Sequence, residues 1–86
     1  MIMSTNYAKG RKKEYKILKE ARELGHVALR SAGSHSPIDV VDIDLDARVI
    51  KFVQCKPDSM QAKAREKLLM DNHLLNGSFF CVFEVR

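Results

Sequence analysis

The chain has 86 residues, of which 45% are hydrophobic and 30% charged, a globular composition that argues against an intrinsically disordered chain. This length has room for a single domain over 1–86, and no apolar run approaches the ~18 residues that span a bilayer, so we expect no membrane segment. The net charge of +4 is concentrated, because residues 9–20 hold six basic and two acidic side chains and the remainder is neutral. Such a stretch predicts a polyanionic partner, but it also suits a solvated helix face.

Hydrophobic periodicity and turn residues predict two helices and four strands. In chain order the expected segments are a lead-in at 1–8, a helix over 10–24, a strand over 26–30, a loop over 31–37, a strand over 38–45, a turn at 46–48, a strand over 49–55, a helix from 58 or 59 to 75, and a strand over 78–85. Gly25 is the expected end of the first helix, and Asp58 or Ser59 is the expected cap of the second.

The order of these elements predicts the topology. The first three strands follow each other through short connections, so we expect an antiparallel meander. The second helix is a crossover that lets the last strand pair parallel to an earlier one. The sequence therefore predicts an α/β fold with the order α-β-β-β-α-β, in which helices flank a central mixed sheet.

One acidic residue of the first helix lies on its apolar side. At 100° per residue, Glu14 shares its face with apolar residues, whereas Lys12, Lys16, Lys19 and Glu23 lie opposite. The residues that share this face are Ile17, Leu18, Ala21, Leu24 and Gly25. We therefore expect Glu14 to face the sheet and the lysines to face solvent or a ligand.

Polar residues also project from the apolar faces of two strands. Because side chains alternate between the two faces of a strand, Asp39 shares its face with Val41, Ile43 and Leu45. In the next strand Gln54 and Lys56 share a face with Ile50 and Phe52. A buried polar group without a partner costs several kcal/mol, and a divalent cation relieves the repulsion between neighbouring carboxylates. The four groups predict a cation site, or else an ion pair of Lys56 with Asp39 or Glu14 that carries no chemistry.

The beginning of the sequence and its two cysteines indicate the compartment. Residues 1–11 contain no apolar region before a small-residue cleavage site, so we expect no secretory signal. Cys55 and Cys81 lie in apolar runs and lack the C-x-x-C spacing of a zinc site. We therefore expect reduced thiols in the core of a cytoplasmic protein.

Three short motifs together resemble those of a nuclease superfamily. They are Glu14 within KGRKKEYKIL, Pro37-Ile38-Asp39, and Gln54-Cys55-Lys56 after a short turn. This set resembles the PD-(D/E)XK nucleases. Within them the KGR-x-x-E helix and the phrase LRSAGSHSPIDVV are most similar to archaeal-type Holliday junction resolvases. The resemblance covers 9–83 and implies a restriction-endonuclease-like core.

The resemblance implies a metal-dependent DNA endonuclease that hydrolyses phosphodiester bonds, with Mg²⁺ as cofactor and Mn²⁺ as the alternative ion. Asp39 would be the central metal ligand, assisted by Glu14, by Gln54 and by the backbone carbonyl of Cys55. Lys56 would lie beside the attacking water and the scissile phosphate. The residues expected to contact DNA are Lys9, Arg11, Lys12, Lys13, Arg30, Ser31 and Ser34.

Gln54 departs from the superfamily pattern, which has Glu or Asp at this position. An amide keeps an oxygen ligand but removes one negative charge, so we expect weaker metal binding. A four-way junction needs two cuts, so the expected enzyme is a homodimer. A PD-(D/E)XK nuclease acting on other DNA structures and a non-catalytic DNA-binding module both stay open as alternatives.

Overall fold

A computed structural model describes residues 5–31, 36–77 and 79–86, and for 5–8 the description is confined to the backbone. The elements in chain order are helix α1 (Thr5–Glu23), strands β1 (Val27–Arg30), β2 (Val40–Asp44) and β3 (Val49–Val53), helix α2 (Ala62–Asp71) and a 3₁₀ turn (His73–Leu75). The fold is a small α/β arrangement of two helices and a three-stranded antiparallel sheet. None of the helices within these described ranges combines the length and the apolar character that crossing a membrane requires.

Helix α1 ends where the sequence predicts, and the hydrogen bonds explain why. Gly25 has a φ of +83°, its N–H donates to the Arg22 carbonyl at 3.0 Å, and the His26 N–H donates to the Ala21 carbonyl at 3.0 Å. These two bonds form a Schellman cap, which needs a residue in the left-handed region that glycine adopts without steric cost. The beginning is different, because α1 includes residues 5–8, which the sequence assigned to a lead-in.

The sheet is a meander in the order β1-β2-β3. Val27 pairs with Ile43 across the first ladder, and Ile43 pairs with Ile50 across the second. The turn between β2 and β3 uses Arg48 at a φ of 60°, and the carboxylate of Asp44 accepts the N–H groups of two turn residues. The predicted meander and hairpin turn are therefore confirmed.

The core lies between α1 and one face of the sheet. Its four buried side chains are Leu18, Ala21, Ala28 and Val40, and the last of these is fully buried. The other face of the sheet is also apolar. Helix α1 does not cover it, and we call it the open face. It consists of Val27, Leu29, Val41, Ile43, Ile50 and Phe52.

Helix α2 begins later than the predicted cap. The carboxylate of Asp58 accepts a hydrogen bond from Lys13 at 2.8 Å instead of capping a helix, and the first helical residue is Ala62. The residue at the N-cap position is Gln61, whose side chain makes no capping bond. A long-range ion pair has thus replaced the local bond that the sequence suggested.

The parallel fourth strand predicted over 78–85 is not formed by the described residues. Residues 79–86 pair with no strand and are exposed, and Ser78 lies outside the described residues. High β propensity reflects how well side chains fit a half-buried pleated surface, so it does not make a strand without a neighbour. The described sheet is therefore purely antiparallel, whereas the predicted restriction-endonuclease-like core has a mixed sheet.

Candidate functional site

Asp39 lies at the beginning of β2, where the ladder to β3 is offset. Its N–H donates to the Val53 carbonyl at 2.8 Å, one residue out of the register in which Val40 pairs with Val53. Such an offset is typical of a β-bulge, which turns a side chain away from the regular alternation. The Asp39 carboxylate turns towards β3, where its Oδ2 accepts the N–H of Cys55 at 2.8 Å.

Gln54 and Lys56 are the sequence neighbours of Cys55, whose N–H makes that bond. Both are half-buried, and neither side chain makes a hydrogen bond or an ion pair with the part of the chain that the structure describes. They line a groove of about 510 Å³ between β3 and α2, together with Ile38 and Arg65. This groove places an amide and two cationic side chains beside an apolar wall.

Glu14 is on the sheet side of α1, as the helical periodicity predicts, but its carboxylate is occupied. The Nε of Arg30 donates to Glu14 Oε1 at 2.7 Å, and the Arg30 and Glu14 side chains are only 24% and 17% exposed, respectively. The guanidinium of Arg30 also lies over the ring of Tyr15, 5.1 Å from its centre. The ion pair satisfies a charge that the sequence assigned to a metal.

Helix α1 contacts the segment that follows β3 through Lys13, a contact that no sequence pattern indicated. The Lys13 ammonium donates to the Lys56 carbonyl and to the Asp58 carboxylate, each at 2.8 Å. This hydrogen bond, and then the lysine charge, hold the pKa of Asp58 below its usual value of 3.8. The sequence assigned Lys13 to DNA, whereas its described bonds lie within the chain.

The pKa of the Cys55 thiol depends on burial and on the charges at this end of the sheet. Burial raises its pKa above the usual 9.0, and the negative charges of Asp39 and Glu14 raise it further, while Lys13 opposes them. Both carboxylates therefore act on the same thiol, although α1 and β2 are distant in sequence. The Cys55 thiol is neutral at physiological pH. Cys55 and Cys81 are both free cysteines. Cys81 is exposed, so its predicted core position is wrong.

The residues expected to contact DNA have different environments. Lys9, Arg11 and Lys12 are exposed along α1. Arg30 is held by Glu14, and the N–H of Ser31 donates to the Asp39 carbonyl at 2.9 Å. The remaining residue, Ser34, lies outside the described residues.

A histidine at the other end of the sheet is a feature that sequence reasoning missed. His26 Nδ1 lies 2.8 Å from Asp42 Oδ1, and its Nε2 lies 3.4 Å from Asp44 Oδ2. The bond from the Ala47 N–H lowers the pKa of Asp44 below its usual 3.8; burial opposes this, and the His26 charge lowers the pKa further. The sequence contained a signal for this cluster, because Asp42 and Asp44 lie with Val40 on the face that α1 covers.

The donors at the Asp39 end of the sheet are hard oxygens, which suit Mg²⁺ better than softer metals. Asp39 Oδ1 makes no hydrogen bond with described residues, and the Gln54 amide supplies a second oxygen. Across 5–31, 36–77 and 79–86, no three His, Cys, Asp or Glu side chains are grouped as a metal site. The donor type therefore suits a divalent cation, whereas the number of charged donors grouped here within the described residues is small.

Comparison of this chain with protein-family models, with curated proteins and with solved structures found no match, so these residues themselves carry the functional argument.

Proposed function

We propose that this protein is a metal-dependent DNA endonuclease that hydrolyses phosphodiester bonds, with branched four-way junctions as its preferred substrate. One observation carries the proposal. The Asp39 carboxylate bonds the backbone N–H at the centre of Gln54-Cys55-Lys56, and the Lys56 ammonium next to it makes no ion pair in the described chain. A half-buried ammonium without a counter-ion suits a phosphate.

Each residue has a role that follows from its chemistry. Asp39 Oδ1, the Gln54 amide oxygen and the Cys55 carbonyl would hold Mg²⁺ or Mn²⁺, which when bound lowers the pKa of a water and polarises the phosphoryl oxygen. The Asp39–Cys55 hydrogen bond orients the carboxylate. Lys56 stabilises the negative charge that develops on the phosphate.

Glu14 enters the reaction only when Arg30 leaves it. A DNA phosphate would compete with the Glu14 carboxylate for the Arg30 guanidinium, because both anions accept bidentate hydrogen bonds from arginine. Binding of the substrate would thus transfer Arg30 to the phosphate and release Glu14 towards the cation. The exposed Lys9, Arg11 and Lys12 extend the positive surface along α1.

A second candidate is a DNA-binding module without catalysis, and two observations favour it. The Glu14–Arg30 ion pair neutralises one expected ligand. Gln54 supplies no charge, so the described site offers less negative charge than Mg²⁺ usually receives. Such a module would bind DNA with strong dependence on salt but would not cut it.

A cleavage assay with a labelled four-way junction, with and without Mg²⁺, tests these functions. Asp39→Asn keeps a hydrogen-bond acceptor for Cys55 but removes the charge, so cleavage should fall roughly 10²–10³-fold while binding persists. Asp46→Asn is the matched control in the exposed β2–β3 turn, and it should cut like the wild type.

The outcomes separate the alternatives. Equal cleavage by Asp39→Asn and the wild type would refute the site. Faster cleavage of a linear duplex than of the junction would assign the nuclease to other DNA. Retention of DNA without cutting in either metal would support the module. Two cuts per junction require two sites, so a homodimer, in the cytoplasm where reduced thiols persist, belongs to the proposal.

A further inference from the structure

The groove between β3 and α2 has one wall from each element. From β3, Ile50 and Phe52 line it from the open face. The lining residues of α2 and its C-cap have the i, i+3, i+4, i+7 spacing of a single helix face. They are Arg65, Leu68, Leu69 and Asn72. The volume of about 510 Å³ lies within the range of ~300–1,000 Å³ that is usual for ligand sites. The groove therefore has room for a small ligand or for part of a larger one.

The charges in the groove are of one sign. None of the described residues that line it is acidic, and three are basic. They are Lys51, Lys56 and Arg65. The Arg65 guanidinium is tethered beside Lys56, because its Nη2 donates to the carbonyl of the next residue, Pro57, at 2.9 Å. Asp58 follows in the sequence, but its carboxylate is bound by Lys13 at 2.8 Å. The Lys56 end of the groove therefore suits an anion.

The rest of the groove is apolar and carries an amide. The Phe52 side chain is 37% exposed, although Phe79 meets its ring edge-to-face with centres 6.4 Å apart. Asn72 uses its Nδ2 to bond the Leu68 carbonyl at 2.8 Å, and its Oδ1 makes no hydrogen bond with described residues. Arg65 and Asn72 are seven residues apart, ~10.5 Å along a helix axis. That distance is comparable to the reach from the phosphate of one nucleotide to the far edge of its base.

We propose that this groove holds one unpaired nucleotide of the DNA substrate, next to the scissile phosphate. Its base stacks on Phe52 and meets Asn72, while Lys56 and Arg65 hold the phosphates on its two sides. A cationic groove with an aromatic side chain is the combination that binds single-stranded nucleic acid. A fatty acid also joins an anion to an apolar body, but its far end offers Asn72 no polar group. The inference rests on the proposed function, since Lys56 serves the same phosphate in both.

The inference specifies the class of substrate. An unpaired base costs less to take out of the stack than a paired one. We therefore expect branched DNA with an unpaired nucleotide beside the branch to bind more tightly than the fully paired junction.

Binding without metal, in EDTA, tests the groove separately from catalysis. The probes are two labelled four-way junctions that differ at one unpaired position beside the branch, which carries an adenine in one and an abasic site in the other. The wild type should bind the adenine probe roughly 10-fold more tightly, because the abasic site cannot stack. Phe52→Leu keeps an apolar side chain but removes the ring, so the preference should fall below about 3-fold.

The cationic end is tested with a pair of variants on α2. Arg65→Gln should weaken binding of both probes by the same factor and reduce its salt dependence, because it removes a phosphate contact. Lys63→Gln removes the same charge from an exposed position of α2 that does not line the groove, and it should leave both affinities nearly unchanged. Equal losses in the two variants would contradict a phosphate contact at Arg65.

Three further results would overturn the proposal. They are equal affinity of the wild type for both probes, an undiminished preference in Phe52→Leu, and displacement of the labelled DNA by free deoxyadenosine monophosphate or by decanoate as readily as by unlabelled DNA. The last result would assign the groove to that small molecule. A preference for adenine without cleavage in Mg²⁺ would refute the nuclease but leave the groove assigned, whereas cleavage without the preference would refute the groove alone.

Discussion

The two halves of this chain are built differently. From Thr5 to Val53 a long helix packs on a sheet, and all four buried hydrophobic side chains of the described residues lie there. From Gln54 onwards α2 and the 3₁₀ turn contain no buried residue. The first half therefore contains the core, whereas the second is attached to it by surface contacts such as Lys13–Asp58 and Phe52–Phe79.

This difference indicates what the second half needs. A helix of ten residues is marginal in water on its own, so α2 depends on tertiary packing. Its described tethers are polar, as in the bond from Arg65 Nη2 to the Pro57 carbonyl at 2.9 Å. The candidate site lies at the boundary between the two halves, where a fixed Asp39 meets the more loosely held end of β3.

The largest effect should come from removing a core side chain of the first half. Val40→Ala deletes two methyl groups at a fully buried position, so the free energy of unfolding should fall by about 1–3 kcal/mol. Leu69→Ala on α2 is the matched truncation at a 66% exposed side chain, and it should cost less than about 0.5 kcal/mol. Urea denaturation measures both. Equal losses would show that the two halves share one core.

The next effect concerns the ion pair that joins α1 to β1. Arg30→Ala leaves the half-buried Glu14 carboxylate without its partner, which should cost about 1–2 kcal/mol. Lys16→Ala removes an exposed partner of Glu20 on the same helix and should cost below about 0.5 kcal/mol. Urea denaturation applies again, and a similar small loss for both variants would contradict a structural role for Arg30.

A smaller effect should appear at alkaline pH. Because burial raises the pKa of Cys55 above 9.0, the folded chain binds this proton more tightly than the unfolded chain. The contribution to stability is fully present below the unfolded pKa and is lost as the pH rises through the folded pKa. In a Cys81→Ser background, alkylation of Cys55 should begin at higher pH in the folded protein than in urea. Coincident profiles would refute the burial of this thiol.

The smallest effect on stability should come from the exposed tether between Lys13 and Asp58. Lys13→Ala should return the pKa of Asp58 towards 3.8, because it removes the bond that lowers it. A lowered pKa contributes stability above the unfolded value, and this is lost as the pH falls through the folded value. Titration of Asp58 by NMR measures the change. Lys12→Ala, one residue earlier, should leave the titration unchanged, and a shift there would deny the tether.

Several features followed from local sequence. Gly25 predicted the end of α1 because the cap needs a left-handed residue, and alternation in β2 and β3 predicted their pairing through a short turn. Glu14 was placed on the sheet side by helical periodicity alone. Its neighbour on the wheel, Leu24, was misplaced, since it is 74% exposed beyond the last helical residue.

Other features depended on contacts between distant residues. Asp58 pairs with Lys13 instead of capping a helix, and Glu14 pairs with Arg30 instead of the expected metal. Residues 79–86 have a strand-like sequence but no neighbouring strand among the described residues. Each of these outcomes depends on a partner that is far away in the chain, and no pattern within a short window contains it.

The sequence by itself determined the periodic elements of the first half and the set of polar residues from which the candidate site is built, because hydrophobic periodicity and turn stereochemistry act over a few residues. Only the tertiary structure decided which charges pair and how Asp39 turns towards Cys55. Electrostatic and apolar contacts act between whatever surfaces the folded chain brings together, and that proximity is a property of the three-dimensional arrangement.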